Sequence, residues 1–308
     1  MTIRVEMIQA SKCAVTGKEI FTLALEYPRQ IHAQLLTHGV FSKNGSSSRA
    51  VPIGAAIDQV RDNPSKVIWT GKQSGMQGLD LQGDSKLLDM ADLVHALARE
   101  QAILTARTLD ALGIHKQNAG RYLEPFQNIR IVLTSTEWEN WDWLRIDAAA
   151  QPEIEALAVL MKQVRDAAEP MVLSAGEWHV PFVDRGRDEQ GEMIYCCAET
   201  GEVLSLGEAK NISMSVCAQT SYRKSDASLE KAEDMQDKLF GGKKIHASPS
   251  EHQASPIGEF EFNTTCEWPQ GVTHMCRDYT FGSGNFNQWI QNRQLIKGHD
   301  RALHSTTE

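Results

Sequence analysis

Two apolar runs set the frame of this chain: IFTLALEYP (20–28), closed by a proline, and the β-branched IRIVLTS (129–135), which predict two buried strands. Between them, SKLLDMADLVHALAREQAILTARTLDALG (85–113) brings Met90, Leu93, Leu97, Leu104 and Leu112 round near helical spacing. That pattern predicts one long amphipathic helix, with Ser85 as cap and Gly113 as stop. A second helix is expected from QPEIEALAVLMKQV, with Pro152 in its first turn, a stripe of Ile154, Leu157, Met161 and Val164, and Pro170 marking its end. ASLEKAEDMQDKLF (227–240) predicts an amphipathic helix ended by Gly241 and Gly242, and GEFEFNT (258–264) alternates like a half-exposed strand. DRGRDEQGEM (184–193) is polar and turn-rich, a surface excursion or a boundary, and the tail from His299 is polar and expected to fray. Helices and strands alternate without a fixed repeat. The expected class is therefore α/β or α+β, a mixed sheet flanked by helices.

Composition narrows the partners. With 308 residues, 41 % of them hydrophobic and 23 % charged, the chain can bury a sizeable core. Its 31 Lys and Arg against 40 Asp and Glu give a net charge of −9. That balance argues against broad binding to duplex nucleic acid or an anionic membrane, so any phosphate must meet a local cationic site. No stretch approaches the ~20 apolar residues of a membrane span, and the N-terminus lacks a signal-type apolar run, so a cytoplasmic location is expected. Six cysteines, with Cys196 and Cys197 adjacent, do not suggest a disulfide framework. Cys266, His274 and Cys276 match no common zinc spacing, and no metal is expected.

The densest chemistry lies in THGVFSKNGSSSRAVP (37–52), where Ser42, Asn44, Ser46, Ser47 and Ser48 crowd donors just before Arg49. Backbone N–H groups and hydroxyls can surround an anion while the guanidinium adds charge and a fork that fits a phosphate or a base edge. Composition alone also allows a solvated Ser/Gly linker. In TEWENWDWLRIDAAAQPEI (136–154), Arg145 follows Trp138, Trp141 and Trp143, where an unpaired charge is costly. Its partner is either a bound anion or an internal carboxylate, Glu137 or Asp147. IHASPSEHQASP (245–256) sets His246, Ser248, Glu251 and His252 about proline turns, as a polar loop, a metal site or a ligand contact.

These three blocks together resemble the flavin-dependent thymidylate synthase (ThyX) family. His38, Ser42, Asn44, Ser47 and Arg49 fall on the family pattern HRxxSxNxxSxR, with Gly39 in place of its arginine and Thr37 in place of the arginine before it. Asn140, Arg145 and Gln151 match a second nucleotide-binding region, and HASPSEH resembles the family's His-x-Ser/Thr-Pro-Phe-Glu-His segment. NISMSVCAQTSY (211–222) resembles the strand region before that segment, and SGNFNQWIQNRQ (283–294) is read as a helix lining the same region. The HASPSEH block follows the serine block here, whereas in the family it precedes it. The chain thus reads as one permuted catalytic domain over 1–308, with an N-terminal portion 1–183, an excursion 184–205, a C-terminal portion 206–296 and a tail 297–308.

The resemblance implies a homotetramer with FAD at subunit interfaces and a pyrimidine deoxynucleotide stacked on the flavin. It further implies transfer of a one-carbon unit from methylenetetrahydrofolate to C5 of dUMP, with NADPH reducing the flavin. On that basis Ser47, Ser48 and Arg49 hold the nucleotide, Gln34 reaches toward it, and Arg145 anchors its ring. His38, Asn140, His246, Ser248 and Glu251 are the implied flavin contacts. Departures stand beside these matches: Val216 and Gln219 occupy places where arginines are common, Gly45 lacks an acid, Ser250 replaces a Phe, and Thr136 and Ala149 replace Arg and His. Each missing arginine removes a charged hydrogen bond worth roughly 1.5–3 kcal/mol. Three activities stay open: methylation of dUMP, dCMP methylation or C5 hydroxymethylation on the same scaffold, and nucleotide binding without catalysis.

Overall fold

The computed structural model describes residues 3–81, 83–221, 225–242, 245–259 and 267–300. Its centre is a five-stranded mixed sheet of β1 (Arg4–Cys13), β2 (Glu19–Pro28), β3 (Ser42–Gly45), β4 (Asn128–Ser135) and β5 (Met171–Leu173), in the order β3-β4-β2-β1-β5. All neighbours are antiparallel except β5, which runs parallel to β1 at one edge. Besides a single turn at Lys116–Ala119, the α-helices are α1 (His32–Leu36), α2 (Ile53–Asp62), α3 (Ser85–Ala111), α4 (Glu139–Arg145), α5 (Pro152–Asp166), α6 (Leu206–Ala218) and α7 (Leu229–Phe240). The class is the expected one. None of the described helices is long and apolar enough to cross a membrane.

Strand alternation gives the sheet two unlike faces. On one, Phe21, Leu23, Leu25 and Tyr27 of β2 join Ile129, Ile131 and Leu133 of β4 against Ile154, Leu157 and Met161 of α5. Pro152 and Glu153 open α5 as its first turn favours, and Trp138 and Trp141 close the end of this core. Fully burying one such apolar side chain contributes about 1.5–3 kcal/mol.

The other face is hydrogen-bonded. Thr22 pairs with Thr134 across the strands, their hydroxyls 2.6 Å apart, and Ser11 and Ser42 lie on the same face of β1 and β3. Arg185 donates to the Ser11 hydroxyl at 2.8 Å, and Ser11 lies 2.7 Å from His179 Nδ1. His179 Nε2 reaches Thr22 at 2.8 Å, and Thr134 reaches His252 Nδ1 at 2.8 Å. Arg185 can only donate, so the Ser11 proton is free for His179 Nδ1, and each following hydroxyl passes its own proton along to His252. Burial holds both imidazoles neutral, driving His179 well below its ordinary range and His252 down to about 3.

Upon this face rests a layer built from α6, α7, the hairpin of strands Val183–Arg187 and Met193–Cys197, and short strands at 254–256 and 289–291. Several expectations change here. Residues 184–193 include the turn of that hairpin, where Asp188 accepts the N–H groups of Gln190 and Glu192 and Gly191 has φ +86°. Residues 211–218 are helix, not strand, because Ser205 and Glu208 form a capping box that starts α6 upstream of them. Residues 283–294 are short strands followed by a 3₁₀ turn, not a helix. Asp84, not Ser85, caps α3 by accepting Leu87 N–H at 3.0 Å, one residue earlier than expected. The alternating stretch 258–264 lies largely outside the described residues, as does Cys266, and among those described no cluster of His, Cys, Asp and Glu could hold a metal.

The neutral buried histidines set a pH dependence. Unfolded, each binds a proton below about pH 6.5, whereas folded it does not, so stability is complete above that pH and falls as pH drops toward the depressed folded value. As pH falls below 6.5 the loss from His179 and His252 together should steepen from about 1.4 kcal/mol per pH unit at 6.5 toward about 2.7 near pH 5, above most of the range where carboxylates titrate. Urea unfolding at pH 7, 6 and 5 measures this, and a flat profile would show that the imidazoles charge inside the fold.

Candidate functional site

One segment, residues 37–48, lines three cavities in turn. The first holds Thr37, His38, Gly39 and Val40 opposite Glu137, Glu139, Asn140, Leu144 and Arg145, in about 490 Å³. The second places Lys43, Asn44 and Gly45 against His246, Ser248 and Pro249 in about 400 Å³. The third sets Ser46, Ser47 and Ser48 beside Arg29, Arg130, Glu26 and Ser221 in about 240 Å³. Edge strand β3 carries the middle of this segment, because Ser42 to Gly45 pair with Ile131 to Thr134.

In the first cavity α4 presents Arg145, whose Nε donates to His38 Nε2 at 3.1 Å and whose Nη2 approaches Thr37 Oγ1 at 3.4 Å. His38 is buried, with its ring edge-on to Trp141 at 4.8 Å and stacked near Phe41 at 5.9 Å. Burial, then the Arg145 and Lys43 charges, lower its pKa, so the ring is neutral with its proton on Nδ1. The two internal partners considered for Arg145 are both engaged elsewhere: Glu137 pairs with Lys18 at 2.7 Å, and Asp147 caps the Ala149 N–H. Among the described residues no carboxylate lies within ion-pair distance of Arg145. The aromatic surroundings differ from expectation, because Trp138 and Trp141 turn into the core, Trp143 is 75 % exposed, and the guanidinium over Trp138 at 4.2 Å belongs to Arg165.

The second cavity brings His246 and Ser248 together with Lys43, whose pKa burial lowers and Glu251 opposes. Lys43 also donates to the carbonyl of His38 at 2.8 Å, tying this cavity to the first. Glu251 itself is ion-paired with Arg293. Asn44 donates to the carbonyl of Cys217.

In the third cavity the Ser47 N–H donates to the Ser221 hydroxyl at 2.8 Å and Ser48 donates to Glu124 at 2.6 Å. Arg29, which the sequence reading passed over, donates to the Ser46 carbonyl at 3.3 Å, and its buried Nε has no protein partner among the described residues. Burial lowers its pKa, with Glu124 opposing. The signal available was its place immediately after the proline that ends β2, where a strand hands its last residue to a loop. Arg49 sits on the exposed turn after the serines and lines none of these cavities. Gln34 bonds Gln151 at 2.6 Å, and its carbonyl accepts from Thr37, the residue beside Arg145.

No protein-family model and no curated protein matches the chain. Among solved structures it is similar to a UMP/dUMP methylase, PolB from Streptomyces cacaoi, bound with 5-Br UMP, at 16 % identity over 53 % of this chain and 88 % of that chain, with a TM-score of 0.43. The same methylase bound with 5-Br dUMP gives 16 % identity over 53 % and 89 %, with a TM-score of 0.39. Overlaps this loose assign no role to any residue here.

The His38–Arg145 contact is directly testable. The Arg145 charge is one of the causes that keep His38 neutral, so Arg145→Met should move the His38 titration midpoint upward toward the ordinary value of about 6.5. Imidazole resonances followed against pH report it, and a midpoint that does not move means the contact is absent in solution.

Proposed function

We propose that the protein binds a pyrimidine deoxynucleotide and, with a bound flavin, modifies its C5 position by a one-carbon unit, dUMP methylation being the first candidate. One observation carries this reading: Arg145, a cation without a carboxylate partner among the described residues, shares a cavity with His38 and Asn140. A guanidinium so placed can take a pyrimidine carbonyl or a phosphate in its planar fork, which Lys would not reproduce. His38 supplies a neutral ring that fixes the guanidinium without cancelling its charge. The serine cavity, with Arg29, suits a small anion by size and donors, although Glu26, Asp58 and Asp62 share its lining and restrict how much negative charge it accepts.

The residue types lining the second cavity fit the phosphates or polar edge of FAD, since Lys43, Asn44, His246 and Ser248 all carry groups that can donate, although Lys43 and Asn44 already donate to the His38 and Cys217 carbonyls. There the flavin would supply the redox equivalents, drawn in this reading from NADPH, with methylenetetrahydrofolate as carbon donor. The residues of the chain would bind and orient the nucleotide, with His38 held uncharged beside Arg145. Glu251 is held by Arg293, and within one protomer it reaches a flavin only through exchange of that ion pair.

A second reading, nucleotide binding without catalysis, is favoured by that same Glu251–Arg293 pair and by Gly39 and Thr37 in place of arginines. Addition of FAD separates the two: a spectral change and a higher melting temperature support the flavoenzyme, and neither at saturation removes it. With the flavin loaded, product analysis on dUMP and dCMP fixes the base.

Arg145→Lys keeps the charge and loses the fork. Nucleotide affinity should fall about five- to a hundredfold, equivalent to roughly 1–3 kcal/mol, with the melting curve little changed. Titration calorimetry with dUMP and dCMP reads this, and unchanged affinity for both would take Arg145 out of the site.

A further inference from the structure

The first cavity opens between two rims far apart in sequence, residues 37–40 on one side and 137–145 on the other. Gly39 lies in the first rim, and a Cβ there would meet nothing within 4 Å, so no packing holds the chain at this point. Glycine also leaves the backbone freer than any other residue would. The carbonyls on either side of it are nevertheless held. Lys43 Nζ donates to His38 O at 2.8 Å before the glycine, and Asn285 Nδ2 donates to Val40 O at 3.2 Å after it.

We propose that Asn285 is a positioning residue for the first cavity, fixing the rim on which His38 meets Arg145. The assignment rests on the reading that this cavity takes the nucleotide. Asn285 suits the task because its amide can be placed in one way only. Gln291 Nε2, a donor, lies 2.8 Å from its Oδ1, and the Ser42 hydroxyl donates to the same atom at 3.0 Å. Turned over, the amide would set N–H against N–H at Gln291 and oxygen against oxygen at Val40. The Ser135 hydroxyl also lies 3.2 Å from Val40 O, but its one proton is divided with Glu137 O at 3.0 Å. Asn285 Nδ2 has no other acceptor among the described residues.

The turn that carries Asn285 is itself fixed. Gly282 and Ser283 pair with Asn287 and Phe286, leaving Gly284 and Asn285 as a two-residue turn. Gly284 has φ +61°, and a Cβ on it would overlap Gln291 Oε1, so the turn takes glycine and lies against the side chain that orients Asn285. Two residues on, Asn287 N–H donates to Thr136 Oγ1 at 2.9 Å, immediately before Glu137 begins the opposite rim. One short stretch of chain therefore holds both rims, and two residues of extended backbone, about 7 Å, separate its two attachments. A rim already in place spares the nucleotide the cost of ordering it on arrival.

Asn285→Ala and Asn285→Asp test this, each alone and combined with Arg145→Lys. The alanine variant should bind dUMP and dCMP about three- to tenfold more weakly by calorimetry. With Arg145 already lysine that loss should shrink to about twofold or less, because a residue acting through the rim has no guanidinium left to position. Asn285→Asp keeps an acceptor for Ser42 and Gln291 and removes only the donor to Val40, so it carries the test if the alanine variant does not fold. Its added charge weakens both backgrounds alike, and the difference between backgrounds should remain. Equal losses in the two backgrounds, or none in the native one, overturn the proposal. Amide exchange at Phe41, whose N–H donates to His38 O, needs no nucleotide. It should quicken about fivefold or more in both variants while Leu23 and Leu133 keep the native rate, and an unchanged Phe41 also overturns the proposal. Faster exchange at Phe41 in a protein whose native form binds neither nucleotide supports the positioning of the rim and sinks the nucleotide reading instead.

Discussion

The fold hinges on an unbroken set of hydrogen bonds running from Arg185 through Ser11, His179, Thr22 and Thr134 to His252. It joins the central sheet to the layer above it, and every group in it beyond the half-buried Arg185 is too deeply placed for water to replace a lost partner. Removing one member strands its neighbour, at about 1–3 kcal/mol for each polar group left alone. Burial alone would make Arg185 expensive, lowering its pKa to about 10, and what offsets that cost is donation to Ser11 and to the Ala10 carbonyl. At the far end His252 Nε2 is buried with no protein partner among the described residues.

Backbone pairing with β4 and side-chain bonds to the same upper layer together hold β3, and with it the segment that lines the three cavities. Ser42 shows the dependence. Its hydroxyl donates to Asn285 at 3.0 Å and accepts from Gln291 at 3.1 Å, both of the upper layer, while its neighbour Lys43 faces the cavity shared with His246. The chemistry thus rides on an edge strand whose outer side is open but whose inner side is clamped. Such a scaffold gives short polar side chains defined directions without placing them on a mobile loop.

Much of the frame was legible in the sequence. The apolar runs 20–28 and 129–135 and the stripe of α5 were readable because local periodicity and burial coincide there. What failed did so where distant residues decide. The turn-rich character of 184–193 was legible, but the pairing of Met193 to Cys197 with Val183 to Arg187 on either side of the turn was not. A capping box at Ser205 and Glu208 overrides the comparison that made 211–218 a strand. The stripe of α3 was readable as periodicity, but its orientation was not, since periodicity does not say whether a stripe turns inward or outward. Within the candidate site, Arg145 was legible as a cation in need of a partner, whereas the loss of Glu251 to Arg293 depends on two residues far apart in sequence. Arg29 carried no motif. Only the reach of its guanidinium to the Ser46 carbonyl reveals it.

The unlike faces of the sheet imply unlike histories of substitution. Beneath α5, cohesion depends on volume, and one aliphatic residue can replace another of similar size with modest loss. On the other face cohesion depends on donors matched to acceptors, where a change at Thr22 is tolerable only if Thr134 or His179 changes with it. Descendants of this chain should therefore drift one residue at a time on the first face and in linked pairs on the second.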